Sequence, residues 1–248
     1  MRSIIRLLVL SIIIIAIWFM LYRDEGNNPL PEESKTSEAA SVVKKEVVSK
    51  SEESLEGKIS FILDVPYVSE APEGNWSGDW INACEEAVIA MVEKYYEGKK
   101  TVSIVEAKNV LQKLFDEQNK LYGDNKNADA SQIEEIVSLH SSFKPTIKIN
   151  PTLDEIKNEI LNGRPVISLH RGFDLKNPNI PFSPTKSSYH TLVLFGFDDL
   201  KQEFITHDPG DDVSGDGHRY SYEIIMNSLH DYNREMDQTD GLPTVSIP

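Results

Sequence analysis

Apolar residues are concentrated at one end of the chain before any periodic pattern begins. Leu7–Tyr22 is interrupted only by Ser11 and is preceded by Arg2 and Arg6. Counted from Ile4 the segment has 19 residues, and a helix of that length spans about 28 Å, close to the hydrocarbon thickness of a bilayer. It is apolar on every face, which speaks against a buried core helix. The run ends in Trp18-Phe19-Met20-Leu21-Tyr22-Arg23 with no small-residue cleavage site, so residues 1–23 are expected to be an uncleaved signal anchor. Arg2, Arg6 and the α-amino group outweigh Arg23, which predicts a cytoplasmic N-terminus and everything after Asp24 outside, although Lys44 and Lys45 blur that asymmetry. Residues 24–58 change to Glu, Ser, Lys, Asn and Pro without one aromatic residue, too little apolar surface to order a core. They are expected to be a disordered tether.

From residue 59 to 248 the pattern is that of one globular domain. Ile59–Val68 reads as an extended segment broken by Pro66. Ala87, Met91 and Tyr95 at i, i+4 spacing predict a helix over 84–97, stopped by Gly98. Ser103 with Glu106 forms a capping-box signal for a helix running to Tyr122, and Ser131 with Glu134 for another running to His140. Thr152–Asn162 is a short helix closed by Gly163. The period then falls to two. Pro165–His170, Tyr189–Phe197 and Glu203–His207 are rich in β-branched and aromatic residues and bounded by Pro, Gly and Asp, so they read as strands. A last helix is expected over 222–234. Helices first and strands later define an α+β fold, with N-terminal helices packed on an antiparallel sheet.

Charge and composition narrow the function. With 248 residues, 40% hydrophobic and 26% charged, the chain has room for one full-sized domain. It carries 25 Lys+Arg against 40 Asp+Glu, a net charge of −15, and residues 1–23 contribute three Arg and no acid, leaving the remainder at −18. Such a surface lacks the clustered cations that release counterions from a polyphosphate, so nucleic acid is not an expected partner. One cysteine, Cys84, excludes an internal disulfide and a multi-cysteine zinc site. That thiol is either buried filler or a nucleophile.

Its position favours chemistry. Cys84 follows a turn-rich stretch and opens a predicted helix, where the free N–H groups and the dipole stabilise a thiolate. Glu85 and Glu86 act in the opposite direction, so an imidazolium partner is required. Of six histidines, His190 stands out because it opens the apolar run Thr191–Phe195, where a polar ring is costly unless paired. A hairpin centred near 199 sets His190 opposite Asp208, whose carboxylate could orient the imidazole. Asp208-Pro209-Gly210 is equally compatible with plain turn chemistry.

Taken together, Val65-Pro66-Tyr67-Val68-Ser69, Cys84 at a helix start, Tyr189-His190-Thr191-Leu192-Val193 running into Gly196-Phe197-Asp198-Asp199, and Asp208-Pro209-Gly210 form ordered blocks. Over residues 64–229 they resemble the papain-like cysteine peptidases of the bacteriocin-processing, double-glycine leader family, number thirty-nine among cysteine peptidase families. The resemblance implies a papain-like fold, a Cys84 nucleophile, a His190 general base and an orienting Asp208, acting on peptides through a thioester and without a cofactor. That family carries an oxyanion-donating Gln after the Val-Pro-x-x-Ser block, where this chain has Glu70, and Cys84-Glu85-Glu86-Ala87 replaces its Cys-Gly-Pro. Glu70 could be protonated, Asn82 or a backbone N–H could replace the donor, or the enzyme could be impaired. The last case would make it a peptide-binding module that keeps the fold. A cell-wall peptide hydrolase would use the same triad.

Other signals weigh less. Asp212, Ser214, Asp216, Gly217 and Glu223 match positions 1, 3, 5, 6 and 12 of a calcium loop, yet Pro209 and Gly210 forbid the preceding helix and Arg219 holds an apolar position. A solvated acidic turn is expected there. His207, Asp208 and His218 lack a third strong ligand at suitable spacing, so no metal is expected. Trp76 and Trp80 flank the cysteine helix and are either core or the wall of a substrate groove.

Overall fold

The computed structural model describes residues 60–141, 144–185 and 188–248. The expected anchor and tether, residues 1–58, lie outside the described residues. Among the described residues no helix is long and apolar enough to cross a membrane.

The first three helices carry the cysteine and its support. Helix α1, Cys84–Tyr96, is buried on nearly every face from Cys84 to Val92, its apolar run Ala87–Val92 together with Glu85 and Glu86. Helix α2, Ile104–Tyr122, is amphipathic, and the Ser103 hydroxyl caps it by accepting from the Glu106 N–H at 3.2 Å. Helix α3, Ala130–His140, starts two residues earlier than the Ser131 signal suggests. Asp129 is its cap and exchanges hydrogen bonds with Gln132, because a carboxylate there accepts more strongly than the hydroxyl two residues on. Helix α4, Leu153–Leu161, opens with a capping box of Thr152 and Glu155. Two short helices follow, α5 at Gly172–Leu175 and α6 at Tyr222–Ser228. Helix α6 is shorter than the expected 222–234; beyond it the chain folds back through an Asn233–Gln238 bridge.

The strands are β1 Ser60–Ile62, β2 Thr146–Ile149, β3 Val166–Arg171, β4 Tyr189–Asp198, β5 Glu203–His207, β6 His218–Ser221 and β7 Thr244–Ile247. All pair antiparallel in the order β2-β7-β3-β4-β5-β6, with β1 continuing the β3 side of β4 where β3 ends. Strands β2, β6 and β7 have too few residues to show an alternation in the sequence. Gly196 is needed where β1 crosses, since a Cβ there would lie 2.8 Å from the Phe61 carbonyl oxygen. A bulge between Leu194 and Gly196 interrupts the β4–β5 register. It also shifts the alternation, so that Leu192, Leu194 and Phe197 share one apolar layer with Ile156, Ile160, Phe204 and Ile225. Val193 and Phe195 face the other layer, with Met91, Leu111, Phe115 and Ile133. The sheet is therefore sandwiched between α1–α3 and α4 with α6, both layers closed to water.

The hairpin register differs from the expected one. Asp198 pairs with Glu203 and Val193 with His207, two to three residues away from the register that set His190 against Asp208. The turn lies further along the chain than assumed, with Gln202 in the left-handed region at φ 57°, and the bulge in β4 takes back only one residue of the offset. Asp208 reaches His190 by another route: the chain leaves β5 after His207 and turns inward, its Asp208 N–H donating to the Gly215 carbonyl at 2.9 Å.

Candidate active site

The site forms where the start of α1, the start of β4 and the loop after β5 converge. His190 is 3% exposed, and its Nε2 lies 2.7 Å from Asp208 Oδ1. This contact fixes Nε2 as the protonated nitrogen and leaves Nδ1 as the ring atom free to exchange a proton. Asp208 is fully buried and satisfied: Oδ2 accepts from Asn177 Nδ2 at 3.0 Å and from the Tyr220 hydroxyl at 2.5 Å, and Oδ1 also accepts from the Gly210 N–H at 3.2 Å. Burial alone would raise its pKa, but the His190 ring and the Tyr220 and Asn177 donors hold it below the ordinary 3.8. Burial alone would lower the His190 pKa, and here Asp208 is the main opposing influence that raises it above 6.5; Glu70 and Glu85 act the same way when ionised.

Cys84 is 4% exposed and is the first residue of α1. Its thiol donates to Glu85 Oε2 at 3.0 Å, while Glu85 Oε1 accepts from the Ala128 N–H at 2.6 Å. Burial, then the charges of Glu85 and Glu70, push the thiol well above its ordinary 9.0. The resting nucleophile is a neutral thiol, so its proton must leave during attack. Glu86 is also buried, and both its carboxyl oxygens lack partners. Burial, then Glu85, raise its pKa well above 4.5, which keeps it neutral.

Glu70 completes the centre. It is 6% exposed, and its backbone N–H donates to the Pro209 carbonyl at 3.0 Å. Burial pushes its pKa up to about 8. One carboxyl oxygen of Glu70, the Cys84 sulfur and one ring nitrogen of His190 all lie within 4.8 Å of one another, and among the described residues this is the set whose atoms could converge on a metal ion. The family resemblance points to all three positions, although their spacing in the sequence does not by itself bring them together.

A cavity of about 450 Å³ opens onto these groups, lined also by Trp76, Asn82, Phe182 and Asp212. Trp76 donates from Nε1 to Asp212 Oδ2 at 2.8 Å, and Ser69 donates to Oδ1 at 3.3 Å. Trp80 does not line this cavity; it packs edge-on against Phe115, ring centres 5.2 Å apart. Asn82 is exposed at the cavity wall.

The residues matched to a calcium loop serve separate partners. Asp212 faces Trp76 and Ser69, Asp216 lies 3.3 Å from His207 Nδ1, and Glu223 sits in the first turn of α6. The organising carboxylate of that loop is Asp211, which accepts from Asn179, the Val213 and Ser214 N–H groups and the Ser214 hydroxyl. His207 is buried and donates from Nε2 to the Val65 carbonyl at 2.8 Å, tying β5 to the segment before Pro66. His170 is also buried, between Ser168 and Ser228, and burial lowers its pKa to about 3. Both are structural histidines.

Asn177, Tyr220 and Phe182 escaped the sequence analysis. Tyr220 lies in the short β6, and the other two lie in the Pro-rich segment before β4, which carries no periodic signal. Phe182 sits with its ring centre 5.1 Å from that of His190.

An antiparallel sheet flanked by helices, with cysteine, histidine and carboxylate side chains meeting at one cavity, is the architecture of a papain-like cysteine hydrolase. The model of the Peptidase_C39-like family matches residues 62–239, well over half of the chain, and the protein belongs to that family. Family and fold indicate a cysteine-type peptidase. Among solved structures, a protein described as a C39-like peptidase from Bacillus anthracis is similar at 16% identity and a TM-score of 0.49, over 76% of this chain and 97% of that one. Xylellain, a cysteine protease from Xylella fastidiosa, aligns at 19% identity and a TM-score of 0.28, over 64% and 67% of the two chains. A search of curated protein sequences finds no match.

Proposed function

We propose that the protein hydrolyses peptide bonds with Cys84 as nucleophile, His190 as general base and Asp208 as the group that orients the imidazole. The observation that carries this reading is the convergence of the Cys84 sulfur and a His190 ring nitrogen within 4.8 Å, with the ring held through Nε2 by Asp208 at 2.7 Å. His190 Nδ1 takes the thiol proton as sulfur attacks the carbonyl carbon, and returns it to the leaving amine as the thioester forms. Water then attacks the thioester. His190 removes its proton, and Cys84 departs as thiol with the acid product.

Because the resting thiol is neutral, proton transfer accompanies attack, and the imidazole must first shed the proton that Asp208 helps it retain. A stoichiometric burst of acylation by an activated ester, lost in Cys84→Ala and in His190→Ala, is the expected result. Full turnover in Cys84→Ala would exclude the mechanism. A peptide-binding module without catalysis would give no burst.

The apolar run over residues 4–22 and the tether that follows support a single-pass protein whose peptidase domain lies outside the cytoplasm. A fused reporter active only outside the cytoplasm should work when joined to the C-terminus. A fusion active only inside would reverse the assigned topology.

A further inference from the structure

We infer that Glu70 serves the reaction as a neutral carboxylic acid, its O–H donating to the carbonyl oxygen that gains negative charge when Cys84 attacks. This rests on the peptidase reading above and assigns a task to the residue that replaces the family's glutamine. The geometry is specific. The Glu70 main chain is fixed beside Asp208 through Pro209, and its carboxyl group lies within 4.8 Å of both the attacking sulfur and the base. Oε2 is buried without any hydrogen-bond partner, although the residue borders the substrate cavity. An ionised carboxylate in that position would leave Oε2 without a donor. A neutral acid needs one acceptor, which the substrate oxygen supplies.

The surroundings act the same way. The titratable groups facing Glu70 are Tyr67 from its own segment, Cys84, Glu85 and Glu86 from α1, His190 from β4, and Asp208 and Asp212 from the loop after β5. Burial is the largest influence and favours the neutral form. His190 opposes it, and the carboxylates Asp208, Glu85 and Asp212 reinforce it, so that Glu70 keeps its proton up to about pH 8. The O–H stays on Glu70 throughout: the oxyanion forms as sulfur bonds to carbon, is held by the acid, and collapses as the amine leaves with the proton from His190. Gly210 keeps the space open, since a Cβ there would lie 3.0 Å from His190 Cε1 and 3.3 Å from Glu70 Oε1.

The test is pre-steady-state acylation of the full-length protein by an N-acetylglycine p-nitrophenyl ester, followed from about pH 5 to about pH 9. Wild type should rise as His190 loses its proton and fall as Glu70 ionises. Glu70→Gln should abolish the falling limb and exceed wild type by about tenfold one pH unit above the Glu70 pKa. Glu70→Ala should lose about 10²–10³ below the Glu70 pKa, with the deficit narrowing above it as the wild type loses the same donor. An unchanged falling limb in Glu70→Gln, a folded Glu70→Gln that is never acylated, or a Glu70→Ala as fast as wild type would overturn the assignment. An independent readout needs no turnover: in Cys84→Ala, the infrared carbonyl absorption of neutral carboxylic acids near neutral pH should lose one band on adding Glu70→Gln, while the band of buried Glu86 stays. No such difference would also overturn it. A wild type that is not acylated at any pH would instead refute the peptidase reading itself.

Discussion

Glu70→Gln also makes a thermodynamic prediction that does not depend on catalysis. A solvated glutamate titrates near 4.5, whereas the buried Glu70 holds its proton up to about 8. The folded state binds that proton more tightly than the unfolded chain, so the associated stability is complete below 4.5 and declines as pH rises through 8. At about 1.4 kcal/mol per tenfold change, the full span is worth about 5 kcal/mol, and the part between pH 5 and pH 8.5 about 4 kcal/mol. Glutamine has nearly the same shape and does not ionise. The stability lead of Glu70→Gln over wild type should therefore grow from about 1 kcal/mol or less at pH 5 to several kcal/mol at pH 8.5. Urea unfolding of both proteins at the two pH values, followed by tryptophan fluorescence and extrapolated with equal m-values, measures the difference. Contributions common to both proteins cancel in it. A lead that stays constant across the two pH values would refute the claim that burial holds Glu70 neutral.

Asp208→Asn keeps the shape of the side chain but removes the charge that fixes the His190 tautomer, and should lower kcat/KM for the ester by about 10³–10⁴. Retention of more than a tenth of wild-type activity would remove Asp208 from the mechanism. Glu85→Gln takes away an anionic neighbour that helps keep Cys84 protonated, so iodoacetamide should alkylate the thiol faster at neutral pH; an unchanged or slower rate would contradict that role. Gly210→Ala places a methyl group 3.0 Å from the His190 ring, which should reduce kcat with the thermal unfolding profile largely preserved, whereas unchanged kcat would mean that the loop yields without moving the ring.

Much of this architecture is legible in the sequence because local signals and burial agree. Helices α1, α2 and α4 begin at a residue the sequence marks, and β5 spans Glu203–His207 as its alternation predicts. Cys84 opening a helix and His190 opening an apolar strand are readable for the same reason. The parts that are hidden depend on contacts between distant segments. The turn before β5 and the bulge in β4 alter the register, and neither has a unique local signature. The hydrogen bond from His190 to Asp208 arises from the path of the loop after β5, outside the ladder. Trp80 shows the opposite limit, because an aromatic residue near a reactive helix can equally well be held by the core, here by Phe115. The state of Glu70 is likewise invisible in one dimension, since four of the groups that act on it, His190, Asp208, Glu85 and Asp212, come from other parts of the chain.

The chain contains one cysteine, so thiol chemistry reports on Cys84 alone. This sulfur and His190 act as one chemical unit, and the rate of iodoacetamide labelling as a function of pH, in wild type and in His190→Ala, reads that coupling. Wild type should show a rise in rate governed by loss of a proton from the imidazole, and His190→Ala should lose that rise and label at least about tenfold more slowly near neutral pH. Equal rates and coincident pH profiles in the two folded proteins would mean that the thiol and the imidazole act independently.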